Sequence, residues 1–170
     1  MIALLAAFAL AVDPSVKPWP IGVGPGYQPG SSSATTAAGR GVGRLRCGIT
    51  GRSFAVHLEL FANRRALVIP AGIGVRPRCS YPVRSLTPTG VIEVGRPGLA
   101  LGDVFRIWGQ RLGAHTLGSF TSVAPVRAYV NGHLYRGAAN SLPLTSGDEI
   151  VVELGAYVPP HSFFLFPRGS

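Results

Sequence analysis

Four histidines, two cysteines, a scatter of serines and only seven acids are the side chains from which this 170-residue sequence could build chemistry. A serine hydrolase of the elbow type would place its nucleophile in a G-x-S-x-G turn, and no such stretch occurs. Paired carboxylates for glycoside cleavage are poorly supplied. His133 follows an Asn-Gly turn, His115 sits in a loop, and His161 lies among prolines and aromatics. Asp103 and Asp148 have structural roles ready to hand, at a helix start and in a turn. Gly39-Arg40-Gly41-Val42-Gly43 has neither the preceding strand nor the G-x-G-x-x-G spacing of a phosphate-binding loop. No catalytic constellation emerges, so neither an enzyme nor a cofactor is expected.

Cys47 and Cys79 lack the C-x-x-C spacing of a zinc site. In an oxidising compartment an even pair reads first as a disulfide, with buried free thiols or a metal pair as alternatives. Closing a loop of about 30 residues would stabilise the fold by roughly 3–4 kcal/mol. The compartment itself is read from the start of the chain. Residues 2–12 form an unbroken apolar run, too short for the roughly 20 residues that span a bilayer. Ala9-Leu10-Ala11 then offers a small-x-small cleavage signature before Asp13. A signal peptide over residues 1–11 is expected, giving an exported protein, secreted or envelope-associated, with no transmembrane segment in the mature chain. No Lys or Arg precedes the run, so either the Met1 amine serves alone or the true start lies upstream.

The formal charge is +9, and Lys17 is the one basic residue that is not arginine. From Arg40 to Arg84 nine arginines face a single acid, Glu59. Such a segment reads as a solvated Arg-rich face, or as a patch (Arg64, Arg65, Arg76, Arg78 and Arg84) for an anionic envelope polymer or a protein partner. Export argues against nucleic acid.

The elements that must carry these residues are mostly short strands, as 23 glycines and 15 prolines suggest. Residues 12–43, rich in Gly, Pro and Ser, read as a disordered linker, and residues 44–170 as one β-rich α+β domain. Residues 53–62 alternate with period two, placing Phe54, Val56, Leu58 and Leu60 on one face and Ala55, His57, Glu59 and Phe61 on the other. Asn63-Arg64-Arg65 turns the chain into a partner strand at 66–69. A second hairpin joins 83–86 to 91–94, and one helix is expected at about 101–112. Asn131-Gly132 between residues 126–130 and 133–135 is a strong hairpin signal. Residues 142–144 read as a short edge strand, and 149–154 as a strand with Ile150, Val152 and Leu154 on one face. The apolar tail, Phe163-Phe164-Leu165-Phe166, is expected to pack back on the domain.

From Val83 onward this order resembles the β-grasp layout, a mixed sheet wrapped over one helix. Val130-Asn131-Gly132 followed by Leu144-Thr145-Ser146-Gly147-Asp148-Glu149-Ile150 is similar to the ending of small sulfur-carrier and ligand-binding domains of that layout. A sulfur carrier should finish in Gly-Gly, whereas these residues end Arg168-Gly169-Ser170, so that activity is not carried over. His57-Leu58, Phe61, Asn63, the run Ile69-Pro70-Ala71-Gly72-Ile73-Gly74-Val75, Cys79, Gly90-Val91-Ile92 and the run from Leu101 to Gln110 make a longer match. With them the chain resembles an uncharacterised family of exported bacterial proteins. Its pattern runs H-x-H-L-x-I-F-x-N-G, I-P-A-x-I-G-I, H-T-H-D and L-G-x-F-F-x-I-W-G-Q.

In that pattern a histidine cluster on facing strands implies a transition-metal site. Here Ala55 replaces the first histidine, Arg84-Ser85-Leu86 replaces H-T-H, and Glu93 stands for a later one. Only His57, with Glu93 as its neighbour, remains as a weak candidate pair, so zinc or copper is expected to bind weakly at best. The reading is a non-catalytic exported binding or interaction module. A metal-binding protein with a degenerate histidine site is the alternative.

Overall fold

The computed structural model describes residues 19–21, 41–48, 51 and 53–166. The period-two segment is the longest strand, β1 (Phe54–Ala62). Asn63 and Arg64, both at positive φ (48° and 64°), make a two-residue turn of the kind that suits a hairpin's twist. Arg65 therefore already belongs to β2 (Arg65–Val68) and not to the turn. β2 pairs with β1 only through Phe61–Ala66 and Ala62–Arg65.

Prolines and glycines between residues 70 and 90 interrupt the ladder, and the chain returns as β3 (Val83–Arg84) and β4 (Val91–Val94). β4 takes the rest of the same edge of β1, from Phe54–Val94 to His57–Val91, with β3 outside it. The excursion holds a tight hairpin, Val75–Arg76 with Cys79–Ser80, and the expected disulfide joins Cys79 to Cys47 with Cα atoms 5.6 Å apart.

The helix α1 spans Leu101–Trp108. Asp103 accepts the backbone N–H of Ala100 and pairs with Arg106 and Arg44. Gly109, at φ 77°, adopts a left-handed cap and stops the helix four residues short of Leu112. After a small three-stranded meander the Asn131-Gly132 turn joins β5 (Arg127–Val130) to β6 (His133–Tyr135), as expected. Residues 142–144 do not form a strand. A 3-10 turn at Ala139–Ser141 precedes them, and Pro143 makes a single bridge to Ala100, since it cannot donate to a ladder.

β7 (Glu149–Leu154) then enters the middle of the sheet, antiparallel to β5 and parallel to β1, from Glu149–His57 to Leu154–Ala62. The order is β3-β4-β1-β7-β5-β6, with β2 beyond β4 on the same edge of β1. This is a mostly β, α+β fold: a mixed sheet over one helix, β-grasp-like, in which β1 and not the Val83 strand is the first central strand. Trp19–Pro20 adds a parallel pair to β2 and Ile21 is buried, so part of the stretch read as linker joins the domain. The segment read as a signal peptide lies outside the described residues. Among the described residues no helix is long and apolar enough to cross a membrane.

The two faces of the sheet differ. One carries Val56, Leu58, Leu60, Ile92, Val94, Ile150 and Val152 against Val104, Phe105 and Trp108, which is the main core. The other carries a small apolar cluster, Phe61, Tyr129 and Val151, and a row of ionisable side chains. The chain after β7 lies over that second face.

Candidate functional site

Period two brings His57 and Glu59 to the second face of β1, and the parallel register sets Glu149 of β7 directly beside His57. One ligand-type atom from each of His57, Glu59 and Glu149 lies within 4.8 Å of the other two. His57 and Glu149 are buried and Glu59 is partly exposed.

His57 is held at both nitrogens. Nε2 lies 2.9 Å from the carbonyl oxygen of Thr89, which can only accept, so Nε2 carries a hydrogen. Nδ1 lies 2.7 Å from Glu149 Oε2, and one proton is shared between them. Glu149 Oε1 is buried with no hydrogen-bond partner. Burial raises the Glu149 carboxyl above its ordinary 4.5, the hydrogen bond and charge of His57 pull it back, and the nearby Glu59 charge raises it again. Two carboxylates, one of them desolvated, with a ring nitrogen between strands, make a pocket for positive charge.

Gly90 permits this closeness. It sits at φ 80°, and a Cβ there would lie 2.6 Å from Leu58 O and 2.9 Å from His57 Nε2. Gly90→Ala is expected to destabilise the domain by more than about 1 kcal/mol in urea unfolding, because alanine resists this backbone and meets the imidazole. Unchanged stability would mean that the loop gives way freely.

The segment after β7 forms a strap. Glu153, fully buried, accepts Val158 N–H at Oε1 and two N–H groups of Arg127 at Oε2. Val158 packs on Phe61, Tyr129 and Val151. His161 Nδ1 lies 2.7 Å from Glu59 Oε2. The Phe164 ring stacks on His57 at 3.7 Å and 7°, with Phe166 edge-on to Phe164. The tail thus packs back as expected, with Phe164 inward and Phe163 and Leu165 exposed.

Glu93 does not join His57. It stands opposite Ala55 and Arg84, and Arg84 Nε holds its carboxylate at 2.6 Å. Positions 55, 84 and 93 thus stand in one row across three strands, and an ion pair between Arg84 and Glu93 fills it. The five arginines read as a patch do not converge. Arg64 and Arg65 lie beyond the far end of β1 from Arg84, roughly 25 Å away at 3.3 Å per strand residue, and Arg76 is buried. Arg78 is exposed on the tight hairpin. The arginines that do converge are Arg44, Arg46 and Arg96, lining a cleft of about 380 Å³ beside Cys47.

Glu59, Glu149 and His161 were not singled out as site residues from the sequence. For Glu59 and Glu149 the signal was the alternation itself: if Ile150, Val152 and Leu154 face the helix, Glu149 and Glu153 face the other way, as His57 and Glu59 do; His161, outside any strand, offered none. Set against protein-family models, curated proteins and solved structures, the chain finds no match in any of the three comparisons.

Proposed function

We propose that this protein is an exported, non-catalytic module that binds a divalent transition-metal cation through His57, Glu59 and Glu149. The observation that carries the reading is Glu149 Oε1, a buried carboxylate oxygen with no partner, beside a ring nitrogen whose opposite nitrogen is already tied to a carbonyl. Metal-bound imidazoles are held in just this way, with the second nitrogen donating to a fixed acceptor. A nitrogen and carboxylate oxygens suit zinc or copper. At 2.0–2.2 Å from an ion, tetrahedral ligands stand roughly 3.3 Å apart, so His57 Nδ1 and Glu149 Oε2 need separate by only about half an ångström. The proton now between them marks the cation's place. The disulfide and the apolar first residues support export.

Zinc titrated calorimetrically into the chelator-treated protein is expected to bind with one-to-one stoichiometry. It should release about one proton per ion, seen by comparing buffers of different ionisation enthalpy. His57→Ala should abolish binding while the fold survives. A wild-type protein that takes up no zinc would overturn the reading. The arginine-lined cleft beside Cys47 would then favour the other class, a module for an anionic polymer.

A further inference from the structure

The geometry points to His161 as a fourth ligand, delivered by the strap, so that docking of the tail closes the metal site. This inference rests on the reading of His57, Glu59 and Glu149 as the first three ligands.

The strap touches both ligand-bearing side chains of β1. His161 binds Glu59, and three residues on Phe164 covers the His57 ring. The strap turns Val158 and Phe164 inward and leaves Phe163 and Leu165 in water, and between them it directs an imidazole nitrogen at a carboxylate of the cluster. The His161 side chain is 61% exposed and has room to rotate. Its Nδ1 already lies 2.7 Å from the oxygen that would bind the ion, so a movement on the order of 2 Å exchanges that oxygen for the cation.

Charge favours the exchange. A divalent cation with two carboxylates and two neutral imidazoles has no net charge, which is the condition for enclosing it under Phe164 without a large desolvation cost. Coordination number gives the consequence. Three protein ligands leave an open position, the arrangement of catalytic zinc, whereas four close the shell. With His161 bound, the site holds an ion and offers no position to a substrate.

The test compares wild type, His161→Ala and His161→Gly, loaded with zinc for affinity and with cobalt(II) for coordination number. Four-coordinate cobalt absorbs visible light strongly, and it absorbs weakly once water raises its coordination. Both variants are expected to fold, because the side chain is mostly exposed. His161→Ala should weaken zinc binding by at least about tenfold, the lower bound typical even of an outer-shell partner. The strong cobalt bands should fall, and added imidazole should restore them in His161→Gly. Wild-type zinc affinity and an unchanged cobalt spectrum in His161→Ala would overturn the fourth ligand and leave the three-ligand site standing. A wild-type protein that binds neither ion would overturn both.

Discussion

Replacing Cys79 by serine is expected to lower stability by about 3–4 kcal/mol, the largest effect of any single substitution considered. The bridge spans 32 residues, and the loop-closure entropy it removes from the unfolded chain is worth that much. In this fold the loop is no surface insertion. It contains all of β1 and β2 and ends in the tight hairpin at 75–80, whose Cys79 makes the bridge. The hairpin is in turn joined to residue 48 by a reciprocal pair of backbone bonds between Gly48 and Ser80. Without the bridge the segment 41–48 keeps those bonds, the buried Leu45 and the Arg44–Asp103 pair. A thermal melt should therefore stay cooperative while its midpoint drops by roughly 10 °C or more. Reductant should produce the same drop in wild type and none in the variant. Identical melting with and without reductant would show that the bridge adds nothing.

Glu153→Ala should have the next largest effect, about 2–3 kcal/mol. Removing one partner of a fully buried ion pair costs about 3–5 kcal/mol, and the figure is reduced here because Arg127 keeps 30% of its side chain in water. The loss has two parts. Arg127 keeps its bond to Gly155 O but loses its charge partner, and Val158 N–H loses its acceptor. The second part releases the strap at its root. Limited proteolysis should then cut after β7 in the variant while wild type resists. Glu153→Gln keeps the shape and one acceptor, and should lie between the two. Equal resistance in all three would mean that the strap is held by its aromatic end, through Phe164 on His57, and not by Glu153.

Strands and turns were legible in the sequence wherever the signal is local. The alternation of residues 53–62 and the Asn131-Gly132 turn needed only neighbouring residues to read, and both stand in the fold. The second hairpin, expected to join 83–86 to 91–94, also forms, though its first strand is only Val83–Arg84. The helix was found but overrun, because Phe105, Trp108 and Leu112 keep helical spacing through a glycine that adopts a left-handed cap. What local pattern cannot supply is which distant strand lies beside which. His57 and Glu149 are 92 residues apart, and only the parallel insertion of β7 beside β1 makes them neighbours. Glu93 was paired with His57 because it stands where the resembled pattern carries a later histidine, on a strand expected to neighbour β1. The strand does pair with β1, but its register offers Glu93 to Ala55 and Arg84 takes the charge. The arginines of the basic run, close in sequence, are separated in the fold: Arg64 and Arg65 follow one end of β1, Arg76 and Arg78 belong to the separate small hairpin, and Arg84 lies in β3, outside β4.

The parallel pairing of β1 with β7 also sets a clock. A chain emerging from its N-terminal end has His57 and Glu59 long before it has Glu149, and it has His161 later still. While the last strand is missing, the central position of the sheet is vacant and the two early side chains face no partner across it. Such non-local closure is slow to form. On the metal-binding reading proposed above, a growing chain therefore carries an incomplete ligand set until Glu149 and His161 have followed His57 and Glu59.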